Sequence, residues 1–216
     1  MAPKILIVLT SAGKFEKSGK PTGCPPPQGR AHRRLPNGGE APLDPSSIEA
    51  TKDDPASVSF LKEHKSVYQN TKKLSDLAAT AADDFDAVFY PGGHGPMYDL
   101  VNDKDSIKII SETYAKGKPV AAVCHGPVVF VNVNGPDTLP ILKGKRVTGF
   151  SDVEEEQMKL VDEMPFSLEK ALNEKSGGKF EKAAEPWGEK VIVHDNVITG
   201  QNPASAKGSP KSSPSC

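Results

Sequence analysis

Residues 119–127 read PVAAVCHGP. A short valine- and alanine-rich run ends in a cysteine, a histidine, a glycine and a proline. Its length and its punctuation fit a buried strand better than a helix. The apolar stretch VVFVNV (128–133) follows and is expected to open a helix. A strand that turns sharply through glycine into a helix is the elbow that lifts a nucleophile from the carboxyl edge of a parallel sheet, here with cysteine instead of serine. The positive end of that helix would favour a thiolate. Free cysteines are most often small buried hydrophobes, but the strand-end position and the flanking His-Gly-Pro point to Cys124 as a nucleophile. His125, otherwise an ordinary turn histidine, is placed for proton transfer and needs a carboxylate to fix its tautomer.

Other apolar runs end in similar ways. AVFY (87–90) runs into PGGHGPMYDL (91–100), where Gly92, Gly93 and Gly95 allow close backbone approach and can aim N–H groups inward, as an oxyanion hole requires. RVTGF (146–150) reads as a strand and runs into SDVEEEQ (151–157). Its consecutive carboxylates suit a helix start or a solvated face, and one of them could orient His125; the residues alone leave these open.

KILIVLT (4–10) reads as a central parallel strand, and VIVHDNVITG (191–200) as a hairpin about Asp195-Asn196. Helices are expected over 58–82, with a break near 69–71, over 105–118, and over 165–180, closed by Gly177-Gly178. Residues 11–57 lack a clear period, and CPPPQGRAHRRLPNGG (24–39) has almost nothing to bury. Strands alternating with helices imply an α/β fold with a mostly parallel sheet and helices on both faces. We expect a single domain over 1–208, with 24–37 irregular, and a disordered tail over 209–216.

The chain has 216 residues, a net charge of −1, 25% charged and 36% hydrophobic residues, a balance that gives no electrostatic case for nucleic acid or an anionic membrane. No apolar run approaches the roughly 20 residues of a membrane span, and the N-terminal run is shorter than the roughly 7–15 residues of a signal peptide core. Cys24, Cys124 and Cys216 form a sparse, odd set that fits a reducing, cytoplasmic setting. No pair is spaced like a zinc site, so neither metal nor cofactor is expected.

Taken together, AVCHGP, PGGHGPMYDL, LKGKRVTGFSDVEEEQ and VITGQNPASA resemble the ThiJ/PfpI superfamily, and within it the glutathione-independent glyoxalase III (D-lactate dehydratase) branch, which includes heat-shock chaperone-like members. The resemblance covers about residues 1–23 and 38–208. It implies a flavodoxin-like three-layer sandwich related to class I glutamine amidotransferases. It also implies Cys124 as nucleophile, His125 as base and Glu155 as the carboxylate, one step from Glu154. Gly92, Gly93, His94 and Gly126 would bind the oxyanion or the substrate. The implied reaction is a lyase chemistry that carries methylglyoxal to D-lactate through a Cys124 hemithioacetal, without metal, glutathione or other cofactor. A homodimer in the cytoplasm or nucleus is the expected form.

One segment departs from that pattern. Only fourteen residues separate Gly23 from Gly38. The family's buried glutamate beside the nucleophile is missing there, with Gln28 its nearest placeholder, and a carboxamide cannot share a proton as a carboxyl does. Part of the usual first helix and second strand is expected to be missing, leaving one sheet face partly bare. GC-rich codons for His-Arg-Arg-Leu-Pro (32–36), read one base out of step, can spell Thr-Ala-Ala-Ser-Pro, the family-like lead into GGEAP. The exposure this implies keeps a holdase-like chaperone, or a catalytically impaired relative, as the alternative function. A cysteine peptidase ranks lower, for want of a peptide groove.

Overall fold

The computed structural model describes residues 3–24, 32–50, 52–63 and 65–207. Its frame is a seven-stranded sheet in the order β3-β2-β1-β4-β5-β7-β6. The strands are β1 (Ile5–Val8), β2 (His32–Leu35), β3 (Lys72–Lys73), β4 (Ala87–Tyr90), β5 (Val120–Val123), β6 (Val191–His194) and β7 (Val197–Gly200). All neighbours are parallel except the β6–β7 hairpin. That hairpin turns where expected, with Asp195 at a φ of 52°.

Alternation along β1 divides the core, because successive side chains of a strand point to opposite faces. Leu6 and Val8 enter the larger cluster with Val88, Tyr90, Val120 and Ala122. On that face pack α4 (Ala81–Asp84), α5 (Lys104–Ala115) and α7 (Leu168–Ser176). Ile7 and Leu9 enter a smaller cluster with Cys24, Leu35, Phe60 and Tyr68, the last two from α2 (Pro55–Glu63) and α3 (Lys65–Gln69). Another short helix, α1 (Pro45–Ala50), precedes them, so regular structure begins earlier than position 58. Phe89, at the edge of the smaller cluster, is only partly buried.

Several expectations are corrected. A second strand is present: His32–Leu35 pairs in parallel with β1, Ile7 opposite Arg33. The backbone therefore completes the sheet even though the residue types suit it poorly. No helix lies between β1 and Cys24 among the described residues; a tight excursion bridged at Lys14 and Pro21 stands there. Gln28 and the tail 209–216 lie outside the described residues. RVTGF forms no regular strand and carries only an isolated bridge at Val147. Its extended backbone instead bonds to side groups and strand ends, Thr148 N–H to Thr199 Oγ1 at 3.0 Å and Phe150 N–H to the Cys124 carbonyl at 2.9 Å. After Cys124 comes a 3₁₀ turn, Gly126–Phe130, rather than an α-helix.

Candidate active site

Cys124 sits one residue past β5 with a φ of 63°, in the left-handed region. A non-glycine residue persists there, at a cost of about 1–3 kcal/mol, only when its surroundings fix it. Both sides of the residue are held: its N–H donates to Gly200 O at 3.0 Å, and its carbonyl accepts from Phe150. The elbow read from PVAAVCHGP is thus a strained backbone position at the carboxyl end of the sheet.

Glycine is required on the facing loop. A Cβ on Gly92 would lie 2.4 Å from Cys124 Cβ, and one on Gly93, whose φ is +79°, would lie 1.9 Å from the Gly23 carbonyl oxygen. This close approach lets the Gly93 N–H face the Cys124 sulfur, alongside the His125 N–H. Gly126 opens the 3₁₀ turn beneath the Tyr90 carbonyl.

The sulfur itself corrects the sequence reading. Burial pushes the Cys124 thiol up to about 12; the two N–H groups counter this only in part, and Glu155 and Glu154 add to the rise. A five-residue 3₁₀ turn does not supply the dipole of a full helix, so desolvation wins. Cys124 rests as a thiol and keeps partial solvent access. Among the described residues no carboxylate is hydrogen-bonded to it.

A base is in place. His125 Nδ1 lies 3.4 Å from Cys124 Sγ, and its Nε2 lies 2.6 Å from Glu155 Oε2. Burial, then His94, lowers the His125 pKa to about 4 against the opposing pull of Glu155. For Glu155, burial works upward, but hydrogen bonds from His125 and His94 outweigh it and hold the carboxyl at about 2. At neutral pH, Glu155 is therefore ionised and accepts the His125 Nε2–H. That leaves the Nδ1 lone pair of His125 directed at the thiol.

Glu155 is positioned by α6 (Asp152–Met158). Ser151 and Glu154 form a reciprocal capping box at its start, the S-x-x-E pattern of SDVE. Neighbouring helical residues point about 100° apart, so the two glutamates enter different networks. Glu154 Oε2 accepts from the Ser151 N–H and hydroxyl at 2.9 and 2.7 Å. Its Oε1 accepts from Trp187 N–H, Gln201 and Asn202 at 2.9, 2.9 and 2.8 Å. The choice that sequence left open between Glu154 and Glu155 resolves geometrically: the first pins the loop, the second faces the histidine. The capping-box spacing was the available signal.

His94, expected on the substrate side, turns its Nε2 to Glu155 Oε1 at 3.0 Å. Its ring stacks between Phe15, at 5.2 Å, and His125, at 4.1 Å. The donor atoms of His94, His125 and Glu155 fall within 4.8 Å of one another, close enough for a metal ion. The hydrogen bonds just described already engage them, and we read a proton network. Glu155 lines a cavity of about 200 Å³ whose wall combines apolar residues such as Met97, Phe150 and Met164 with polar ones such as Ser151, Glu156 and Lys170; Cys124 is not part of its wall.

A doubly anchored cysteine elbow with a histidine and a carboxylate behind it, at the rim of a largely parallel sheet, defines the class of protein. The chain belongs to the DJ-1/PfpI family, whose model matches residues 56–208. It is 39% identical to Glyoxalase 3 of Candida albicans over 142 residues, 64% of this chain and 59% of that protein. It is 37% identical to Glutathione-independent glyoxalase HSP31 of Saccharomyces cerevisiae over 138 residues, 62% of this chain and 58% of that protein. The aligned sequence thus spans under two thirds of those relatives. The fold extends further: the crystal structure of glyoxalase III from Candida albicans matches with a TM-score of 0.78 and 30% identity, over 94% of this chain and 92% of that one. The Rapid Encystment Protein 24 KDa of Francisella tularensis matches with a TM-score of 0.83 and 32% identity, over 95% and 94%. Among the described residues no helix is long and apolar enough to cross a membrane.

Proposed function

We propose that this chain is a glutathione-independent glyoxalase that converts methylglyoxal to D-lactate. The observation that carries the reading is the chain of contacts from Glu155 through His125 to Cys124, with the Gly93 N–H at the sulfur. Cys124 adds to the aldehyde carbon while its proton passes to His125 Nδ1. The developing oxyanion lies near the Gly93 N–H and takes up that proton, giving a hemithioacetal. His125 then removes the hydrogen from the sulfur-bearing carbon and returns a proton to the neighbouring carbon through an enediol. The product is a thioester of lactate, which water hydrolyses to free Cys124. Every step conserves electrons, so no oxidant or external thiol is needed.

Because Cys124 rests as a thiol, ionisation has to coincide with attack, and the geometry of His125 governs the rate. The names of the relatives favour aldehyde chemistry over a holdase role. The sparse cysteines support a reducing cytoplasmic or nuclear setting, and a homodimer is the expected assembly. The decisive experiment is glutathione-free turnover of methylglyoxal by the purified chain, with chiral assay of lactate. D-lactate from the wild type and none from C124A is the expected result; full turnover by C124A would remove Cys124 from the mechanism.

A further inference from the structure

We propose that His94 is a positioning residue that keeps His125 in its working tautomer by occupying the second oxygen of Glu155. The two imidazoles share one carboxylate: Oε1 accepts from His94 and Oε2 from His125, and all three residues are buried. With both oxygens taken, the carboxylate cannot rotate without breaking a bond. It also stays a pure acceptor.

Without His94, Glu155 Oε1 would lose its hydrogen bond within a buried site, beside a cavity walled by Met97, Phe150 and Met164 together with Ser151 and Glu156. An ionised oxygen unsatisfied in such surroundings is costly, and protonation is its simplest relief. A protonated Glu155 would donate to His125 Nε2. The ring hydrogen of His125 would then move to Nδ1, the atom 3.4 Å from Cys124 Sγ. An Nδ1–H cannot accept the thiol proton. The residue therefore acts on the sulfur through Glu155 and His125, without touching substrate. Phe15 packs edge-on against the far side of the His94 ring and holds it in this pose. The excursion that carries Phe15 is tied down in turn by Lys17, which donates to the Asp162 carbonyl.

The inference deepens the glyoxalase reading and rests on it for turnover alone. Three readouts test it, the first two independent of the substrate. Imidazole ¹⁵N NMR reports the His125 tautomer directly: the wild type should show Nε2–H, and H94F should show Nδ1–H. Alkylation of Cys124 by iodoacetamide at neutral pH, followed by mass spectrometry, should slow about tenfold in H94F. Turnover of methylglyoxal should lose about tenfold in kcat with KM within about twofold. H94Q, which restores a side-chain N–H to Glu155, should recover most of each. H94L replaces H94F if the latter does not fold. An unchanged His125 tautomer in a folded H94F or H94L overturns the inference, as does an H94Q no better than H94F. Failure of the wild type to make lactate would count against the substrate reading, while the tautomer and alkylation results would still judge His94.

Discussion

The carboxyl ends of β4 and β5 and the flank formed by β2 and β3 belong to one sheet but are built on opposite terms. At the first, buried polar groups answer one another: Glu155 with His125 and His94, Glu154 with Ser151, Gln201 and Asn202. At the second, Arg33 is buried on the face of the small cluster, its guanidinium 5.2 Å from the Phe60 ring, and burial lowers its pKa. A polar network tied to several elements fixes geometry, whereas a guanidinium lying against a ring contributes largely through packing. Rate should therefore depend on the site far more than on the flank.

The sharpest contrast lies between adjacent residues of α6. E155Q places an amide N–H against one imidazole and forces that ring into the wrong tautomer. We expect kcat to fall about a hundredfold or more, and stability at neutral pH to fall as well, because the ionised carboxylate accepts from both imidazoles. E154Q turns an amide toward the donors of Trp187, Gln201 and Asn202. It should cost about 2 kcal/mol, lowering Tm by about 4–8 °C, with a far smaller loss of kcat. Paired kinetics and calorimetry decide this. Equal kinetic losses in both variants would erase the division of labour.

G93A tests the point where the two regions touch, since a Cβ there would collide with the Gly23 carbonyl and the backbone is left-handed. Turnover and stability should fall together, the latter by about 2 kcal/mol or more. A thermally normal G93A would show that the Gly23 loop yields freely.

Acid should expose the site before the flank. His125 is held down to about 4 and Glu155 to about 2 in the folded chain. Unfolded, each titrates at its ordinary, higher value, so the unfolded state binds protons first as the pH falls. Stability is then full above about pH 6.5 and is lost progressively toward pH 2. Urea unfolding measured across that range in wild type and E155Q should show a shallower acid loss in the variant. Cys124 alkylation, by contrast, should keep rising above neutrality, because burial holds the thiol up.

Much of this architecture could be read from residues 87–207, where apolar runs end in glycine turns and helices carry caps. The elbow at Cys124, the hairpin at Asp195 and the close of α7 at Gly177 follow from local rules that the structure obeys. The failures have physical causes. HRRL has the composition of a loop, and pairing with β1 on one side and β3 on the other makes it a strand. RVTGF has the composition of a strand, yet its amides go to Thr199 and Cys124 instead of a ladder. A thiolate was expected from position in the chain, but desolvation depends on what packs around the sulfur. His94 was assigned with its glycine loop, and nothing in that loop reveals that its ring turns back toward α6.

The smallest predicted effect tests the flank alone. In R33L, an apolar side chain of similar reach would meet Phe60 and sit beside Leu35, which is fully buried on the same face. Leucine keeps apolar contact with the ring but gives up the polar contacts of the guanidinium, so stability should change by no more than about 1 kcal/mol, or about 2–4 °C in Tm. Turnover should be unchanged, because Arg33 lies against Phe60 in the layer of the smaller cluster. R33A, which also loses the contact with Phe60, should be less stable than R33L. A loss well beyond this in both R33L and R33A would mean that the polar contacts of the guanidinium, more than its packing, hold this edge of the sheet.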